Sequence, residues 1–472
     1  MSTAAFFDLD RTLLRGASGP EFSTSLKREG LLPDRSIPGE SLVFKLFDVI
    51  GETIPSMVAT RQMARAASGW ERSKVKAAGE ASVAPLLAAV PGFARQEIER
   101  HRSEGRQVVM ATTSPFDLVE PLARALGMDA VIATRYGEVD GRYDGSIDGH
   151  FVWGPGKLAA VRDWAGSNGV DVSASHAYSD SVYDLPLLSA VAHPTAVNPD
   201  PRLQVVAMLR RWPVKHFDVP ASVPKVAGVE PQRALQMLAQ PELFPWVRFD
   251  VDGIDNLPRT GPAIIVGNHR SYFDPLAIGY TMGRVNRPAR FLGKKEVFDA
   301  PLVGQMVAAF GGIRVDRGSG SDEPLAAAAE ALAAGEAVVI MPQGTIPRGR
   351  ALFDPELKGR WGAAKLARLS GAPVVPIGLW GTERVWPRNS RTPNVLAIGH
   401  PPTVRIRVGE PVKLAGRSLD ADTKRIMAAI SDLLPAEARV SREPTPEELA
   451  RALPASYRGD PDWEDVRRPG SD

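Results

Sequence analysis

Short apolar runs that stop at polar clusters recur along this chain. Ala4–Phe7 (AAFF) stops at Asp8-Leu9-Asp10-Arg11-Thr12. Gln107–Ala111 (QVVMA) stops at Thr112-Thr113-Ser114-Pro115, and Ala174–Tyr178 at Ser179-Asp180. Further on, Ala263–Val266 (AIIV) stops at Gly267-Asn268-His269, and Ala337–Met341 at Pro342-Gln343-Gly344-Thr345. Runs of this length bounded by polar or turn residues predict buried strands of parallel sheets. Their ends are where an open α/β sheet collects ligands. Gly154-Pro155-Gly156-Lys157 predicts a turn opening a helix over Leu158–Trp164. About 95 residues separate Thr12 from the second run, far more than the dozen or so that a crossover needs. The spacing of Leu42, Phe44, Leu46, Phe47, Val49 and Ile50 is helical, so Arg15–Pro91 reads as a helical cap. Its Arg72, Lys74 and Lys76 read as a solvated face, with contact to an anionic substrate the alternative.

Composition narrows the chemistry. A chain of 472 residues implies two or three domains. The absence of Cys excludes a thiol nucleophile, disulfides, Fe–S clusters and Cys-ligated zinc. A net charge of +2 argues for no nucleic-acid partner. That figure conceals an asymmetry: Met1–Arg211 is net −2, Trp212–Pro435 net +7 and the remainder net −3. The middle segment suits anionic partners. No stretch has the roughly 20 apolar residues of a membrane span, and Met1–Asp10 lacks the basic run of a secretory signal. Val219–Pro231 (VPASVPKVAGVEP) reads as linker, which sets domains at 1–212 and 232–435 around a 213–231 connection. The tail, 436–472, reads as peripheral.

Asp8 and Asp10 are two residues apart and share one side of an extended chain. Two carboxylates together need a cation or a proton, and Mg²⁺ with its hard oxygen ligands is the natural one. The Thr112 cluster offers hydroxyls for phosphate oxygens. Together with Lys157 and the Asp180/Asp184 pair, these residues resemble the haloacid dehalogenase (HAD) phosphatase superfamily in its phosphoserine-phosphatase-like branch, over about Thr3–Ala207. The resemblance implies that Asp8 is the nucleophile and forms an aspartyl-phosphate, and that Asp10 is the general acid and then base. It implies that Thr112 and Lys157 bind the phosphoryl group. The Mg²⁺ site would be Asp8, the Asp10 carbonyl and Asp180, supported by Asp184.

In the second half, His269 precedes Asp274 by five residues beside a strand-to-helix turn. A carboxylate on one imidazole nitrogen raises the basicity of the other, the arrangement for deprotonating a hydroxyl. With no Cys and no Gly-x-Ser-x-Gly elbow, direct attack by an acceptor hydroxyl on an acyl donor is the simplest scheme. The series Phe291–Glu296, Gly311–Arg317, Pro342–Thr345 and Ala372–Ile377 resembles the glycerolipid acyltransferases of the lysophosphatidic acid type, over about Pro245–Pro411. The resemblance implies His269 as base and Asp274 as its partner. Arg317 would contact the acceptor's phosphate, Gly344 and Thr345 would shape the acceptor site, and Pro376 would lie near the acyl chain. The donor would be acyl-CoA or acyl-acyl-carrier protein, with no other cofactor. The family's third block ends Glu-Gly-Thr-Arg, whereas this chain has Gln343-Gly344-Thr345-Ile346. Arg348 or Arg350 would have to supply the missing cation. Trp246, Phe249, Phe298 and Leu302–Phe310 are candidate membrane contacts, with core packing the alternative.

The expected fold class is α/β in two domains: a Rossmann-like doubly wound HAD core with helical cap, and an α/β glycerolipid acyltransferase domain. The expected function is bifunctional: Mg-dependent phosphomonoester hydrolysis, and acylation of 1-acyl-glycerol-3-phosphate or a related lysophospholipid. The expected location is cytoplasmic, peripheral to the inner face of an anionic membrane, with acyl-carrier protein a candidate partner. Two alternatives stand: a phosphatase acting on soluble metabolites, and a non-catalytic regulatory or binding role for one half.

Overall fold

The computed structural model describes residues 2–33, 54–220, 244–294, 311–315 and 323–454, with isolated positions among 223–233, 298–307 and 457–458. The chain forms two compact units, Met1–Ala221 and Ser222–Asp472.

Seven strands build the first unit: β1 (Ala4–Phe7), β2 (Gln107–Pro115), β3 (Ala130–Val139), β4 (Arg142–Asp148), β5 (His176–Ser179), β6 (His193–Val197) and β7 (Val214–Lys215). Their order is β4-β3-β2-β1-β5-β6-β7, parallel except for the β3–β4 hairpin. All four residues of β1 are buried, because the two faces of the sheet pack into separate cores. Phe7 and Met110 point into one, and Phe6 and Val109 into the other. Such two-sided burial is why these strands read as continuous apolar runs. The hairpin turns at Asp140-Gly141, both with positive φ (51° and 78°), as a tight two-residue turn demands.

The expected cap is helical where it is described, with helices at Gly19–Arg28, Ile54–Ala66 and Arg72–Ala89. The Leu42–Ile50 run that suggested it lies outside the described residues. Arg72 is not a solvated cation. Its guanidinium donates to Asp117 at 2.7 and 3.1 Å and to Glu138 at 2.5 Å, while Lys74 and Lys76 are exposed. The first unit also runs past residue 212, since β7 pairs with β6 inside the expected linker.

The second unit has its own seven strands: β8 (Arg248–Asp252), β9 (Ala263–Gly267), β10 (Ala289–Lys294), β11 (Ile313–Val315), β12 (Ala337–Ile340), β13 (Val374–Trp380) and β14 (Thr403–Val408). Their order is β11-β10-β12-β9-β13-β14-β8, and only the β13–β14 pair is antiparallel. Ile265 and Val339 face one core, and Ile264 and Val338 the other. Two regions depart from expectation. Glu230, placed in the linker, is buried and pairs with the buried Arg290, which also meets Glu336 at 3.3 Å. The tail carries a capped helix, Pro446–Ala452, whose Ala452 packs on Ile346 and Leu352. Trp246 meets Phe273 edge-on and Phe249 stacks on Tyr280, so both, partly buried, pack against the core of the second unit. Most of Leu302–Phe310 lies outside the described residues. No described helix is by itself long and apolar enough to cross a membrane.

A histidine cluster braces the first sheet beneath β5. His101 is fully buried and shares a 2.7 Å hydrogen bond with the Tyr178 hydroxyl, and His176 stacks on His193. Burial, then Arg100 and His176, push the His101 imidazole down to about 3. Burial, then Arg106 and His193, push His176 down to about 4. Both rings are neutral in the folded state but bind protons below about 6.5 when unfolded. The unfolded chain therefore takes up more protons as pH falls, and stability declines from about pH 6.5 toward 3. Denaturant melts of wild type and His101→Gln across that window should show a shallower decline in the variant.

Candidate active sites

Parallel register delivers the first unit's chemistry to one edge. Phe7 pairs with Met110 on one side and Tyr178 on the other. Asp8 is thus flanked by the strand ends that carry Thr112 and Ser179-Asp180. The chain then turns sharply: Asp10 is extended and Arg11 is left-handed at φ 57°. Asn198 secures the turn by donating to the Arg11 carbonyl at 3.2 Å. Asp10 Oδ1 accepts from the Ser18 amide at 2.5 Å, which ties the turn to the first residues of the cap.

Lys157 comes from the helix Pro155–Asn168 and is 1% exposed. Its Nζ lies 2.9 Å from Asp8 Oδ1 and 2.6 Å from Asp184 Oδ2. Ser179 Oγ donates to the same Asp184 oxygen at 2.7 Å, while Asp184 Oδ1 is buried with no hydrogen-bond partner. Arg11 Nε sits 3.3 Å from Asp180 Oδ2. Thr112 is buried, its Oγ1 accepting from the Ser114 amide at 3.3 Å. Buried carboxylates of this density are held by lysine, arginine and further cations. Among the described residues no three Asp, Glu or His side chains converge on a single point. A cation at this edge would draw on Asp8, Asp180 and a main-chain carbonyl. That all-oxygen donor set, beside the unsatisfied Asp184 oxygen, fits Mg²⁺ and not a soft metal.

The second unit repeats the strategy with different groups. β9 is flanked by β12 and β13, with Val266 opposite Ile340 and Pro376. Just past its end, Asn268 exchanges hydrogen bonds with the Leu379 backbone at 2.7 and 2.9 Å, which extends the ladder by a side chain. His269 follows. Its Nδ1 is 2.8 Å from Asp274 Oδ2, the oxygen that also accepts from the Arg270 and Ser271 amides at 2.6 and 2.8 Å. Asp274 is fully buried and opens the helix Asp274–Arg284, where the N-terminal amides favour an anion. Its charge keeps the proton on Nδ1 and leaves Nε2 as the basic nitrogen.

Gln343 now has a role. Its Oε1 accepts from the His269 amide at 2.6 Å, so the side chain that replaces the family's glutamate positions the His269 backbone. Gly344 needs its positive φ of 73°, and a Cβ there would stand 3.2 Å from the Arg360 side chain. Thr345 is exposed. Arg317 lies outside the described residues. Arg350 pairs with Glu443, and Arg348 stacks over the Tyr457 ring at 5.5 Å.

Sequence reasoning missed Arg388. It is half-buried and donates to the carbonyls of Ile346 and Pro347, and its Nε has no hydrogen-bond partner. Burial lowers its pKa, and neighbouring Arg348 lowers it further, while the Tyr272 hydroxyl works the other way. Arg388 thus presses a guanidinium against the third block where the family's arginine is absent. It lies more than a hundred residues from His269 in the chain, so no spacing could point to it.

Removing Lys157 would leave Asp8 and Asp184 buried without their shared cation, at a cost of about 3–5 kcal/mol. Urea melts should show that loss for Lys157→Met. The double variant Lys157→Met/Asp184→Leu, which still leaves Asp8 without its cation, should regain part of the stability and none of the phosphatase activity.

The family model for haloacid dehalogenase-like hydrolases matches residues 5–189, and that for acyltransferases matches residues 248–380. A Streptomyces azureus protein named for inhibition of morphological differentiation is 36% identical over 244 residues, 50% of this chain and 87% of that protein. Phosphoserine phosphatase SerB1 of Mycobacterium tuberculosis is 32% identical over 238 residues, 50% of this chain and 77% of that protein. A chloroplastic 1-acyl-sn-glycerol-3-phosphate acyltransferase of Brassica napus is 29% identical over 194 residues, 40% of this chain and 52% of that protein. The two matched regions contain the strand ends around Asp8 and the His269–Asp274 pair: the chain belongs to the haloacid dehalogenase-like hydrolases through its first half and carries an acyltransferase domain in its second.

Proposed function

We propose that the acyltransferase domain moves an acyl group from a thioester, acyl-CoA or acyl-carrier protein, to the free hydroxyl of a lysophospholipid such as 1-acyl-glycerol-3-phosphate. The observation that carries this reading is the three-donor clamp on Asp274 Oδ2. It fixes the ring that holds Nε2 as the base. The acceptor hydroxyl gives its proton to Nε2 as its oxygen attacks the thioester carbonyl. Collapse of the adduct breaks the carbon–sulfur bond, and the proton passes from the imidazole to the departing thiolate. Arg388, with Arg348 beside it, is the cation pair for an anionic acceptor head group.

The phosphatase half hydrolyses a phosphomonoester. Asp8 attacks phosphorus and takes the phosphoryl group, and Asp10 protonates the leaving oxygen and then deprotonates the water that releases phosphate. Lys157 holds Asp8 in its ionised, attacking form. Bound Mg²⁺, held by Asp8, Asp180 and the Asp10 carbonyl, would supply charge neutralisation for the phosphoryl oxygens. The relative named phosphoserine phosphatase supports a small phosphomonoester as substrate. Covalent linkage to an acyltransferase domain supports a phospholipid. Phosphate release from a panel of both decides between the two, and selective turnover of phosphoserine would remove the phospholipid reading.

Asp274→Asn keeps a carbonyl oxygen for the three donors and removes the charge. Acyl transfer from radiolabelled acyl-CoA should then fall by about 10²–10⁴-fold. Arg388→Ala should raise KM for acceptors with a free phosphate more than for those with a neutral head group. Wild-type protein that transfers no acyl group to any lysolipid would refute the assignment.

A further inference from the structure

A long loop, 386–402, joins the short helix Thr382–Val385 to β14. Its base is stapled. The Asn394 amide donates to the Val385 carbonyl at 2.9 Å, Trp386 Nε1 to Ser390 at 3.2 Å and Ser390 Oγ to Thr392 at 2.7 Å. Its tip is Val395-Leu396-Ala397-Ile398, held by two turn hydrogen bonds inside the loop. Leu396 is 85% exposed, Ile398 60% and Val395 46%. Scattered exposed apolar residues are ordinary, but three within four positions on an ordered tip are a patch seeking a cover.

Two observations say which cover. The first is charge. From Arg384 to Arg405 the sequence contains four arginines and one histidine and no carboxylate. Arg384 and Arg391 are exposed, and Arg405 leans toward Glu437 at 3.7 Å. Glu448 is close enough to feel Arg384, but Arg442 already grips it through both oxygens at 2.7 Å. An exposed apolar tip on a loop that carries exposed arginine and no carboxylate is complementary to acyl chains beneath anionic head groups. The second is continuity with the reaction centre. The Trp386 carbonyl accepts from Ser271 Oγ at 2.6 Å, and the Trp386 ring meets the Tyr272 ring edge-on at 5.8 Å. Both contacts fall on the segment that carries His269, where Tyr272 and Leu276 are themselves exposed at 44% and 38%.

We propose that the Val395–Ile398 tip is a membrane-docking loop that inserts into an anionic lipid surface and brings the His269 segment to acceptors held there. The inference builds on the acyl-transfer reading for its purpose. Its physical claim, insertion of this tip into a bilayer, stands or falls on binding alone.

The full chain contains no cysteine, so Leu396→Cys offers one attachment point for an environment-sensitive fluorophore. Added vesicles of phosphatidylglycerol and phosphatidylcholine should shift the label's emission to the blue and brighten it. Pure phosphatidylcholine vesicles should do so at least several-fold more weakly. The same label at the exposed Ser167 of the first unit should not respond. Vesicle flotation of Leu396→Asp/Ile398→Asp should fall at least tenfold from wild type, and Arg391→Glu should fall by less. That double variant should still acylate a lysolipid supplied as monomers and lose transfer to one embedded in vesicles. A silent label at 396, an equal response at 167, or flotation unaffected by the double variant would overturn the proposal. A blue-shifted label in a protein that acylates no acceptor would uphold docking and refute the acyl-transfer reading instead.

Discussion

A carboxylate taken out of water must be given donors, and each unit is arranged around that demand. Lys157 shares its ammonium between Asp8 and Asp184, and the helix entry around Asp274 lends two amides and an imidazole to a single oxygen. In the first unit the parallel sheet does the gathering: it ends adjacent strands at one edge, so groups far apart in sequence arrive together. In the second the clamp is local, residues 269–271 closing on Asp274, and the sheet adds Gln343 from beyond β12. The price in desolvation is met locally, by donors within hydrogen-bond reach of each carboxylate. Removing the donors would therefore disturb the local packing as well as the chemistry.

The two units solve different chemical problems with this device. The phosphatase edge gathers anions and needs cations to balance them, which suits a doubly charged phosphoryl group and an all-oxygen metal site. The acyltransferase edge pairs a single buried anion with one imidazole, which suits moving a single proton. The charge asymmetry between the halves of the chain follows the same division. Several arginines of the second half, Arg348, Arg350, Arg384, Arg388 and Arg391 among them, fall near the third block and along the loop before β14, while the first half keeps its excess acid.

Much of this was legible in the sequence because buried parallel strands announce themselves as unbroken apolar runs. Ala4–Phe7 is a strand with those bounds, and Ala263–Val266 and Ala337–Met341 differ from the observed strands by one residue. Asp8, Lys157, Asp180 and His269 sit at strand or helix ends as their motifs imply. The β3–β4 hairpin is marked in the sequence only by Asp140-Gly141, since its strands carry an irregular, partly exposed pattern. Arg72 shows the limit of local patterning: on a helix it looks like any solvated cation, and only the fold brings Asp117 to it. Arg388 shows the same limit beside the third block, because its partners are main-chain carbonyls that no residue type advertises. Gln343 lacks the charge of the glutamate it replaces but keeps a hydrogen-bonding oxygen, and the fold turns that oxygen toward the His269 amide.

The central claim is that one chain holds two separate reaction centres, one built on Asp8 and one on His269. Phosphate release and acyl transfer, assayed side by side on full-length Asp8→Asn and His269→Ala, test it most directly. Each variant should abolish one activity and leave the other within about twofold of wild type. Loss of both activities in either variant, or of neither in both, would contradict it.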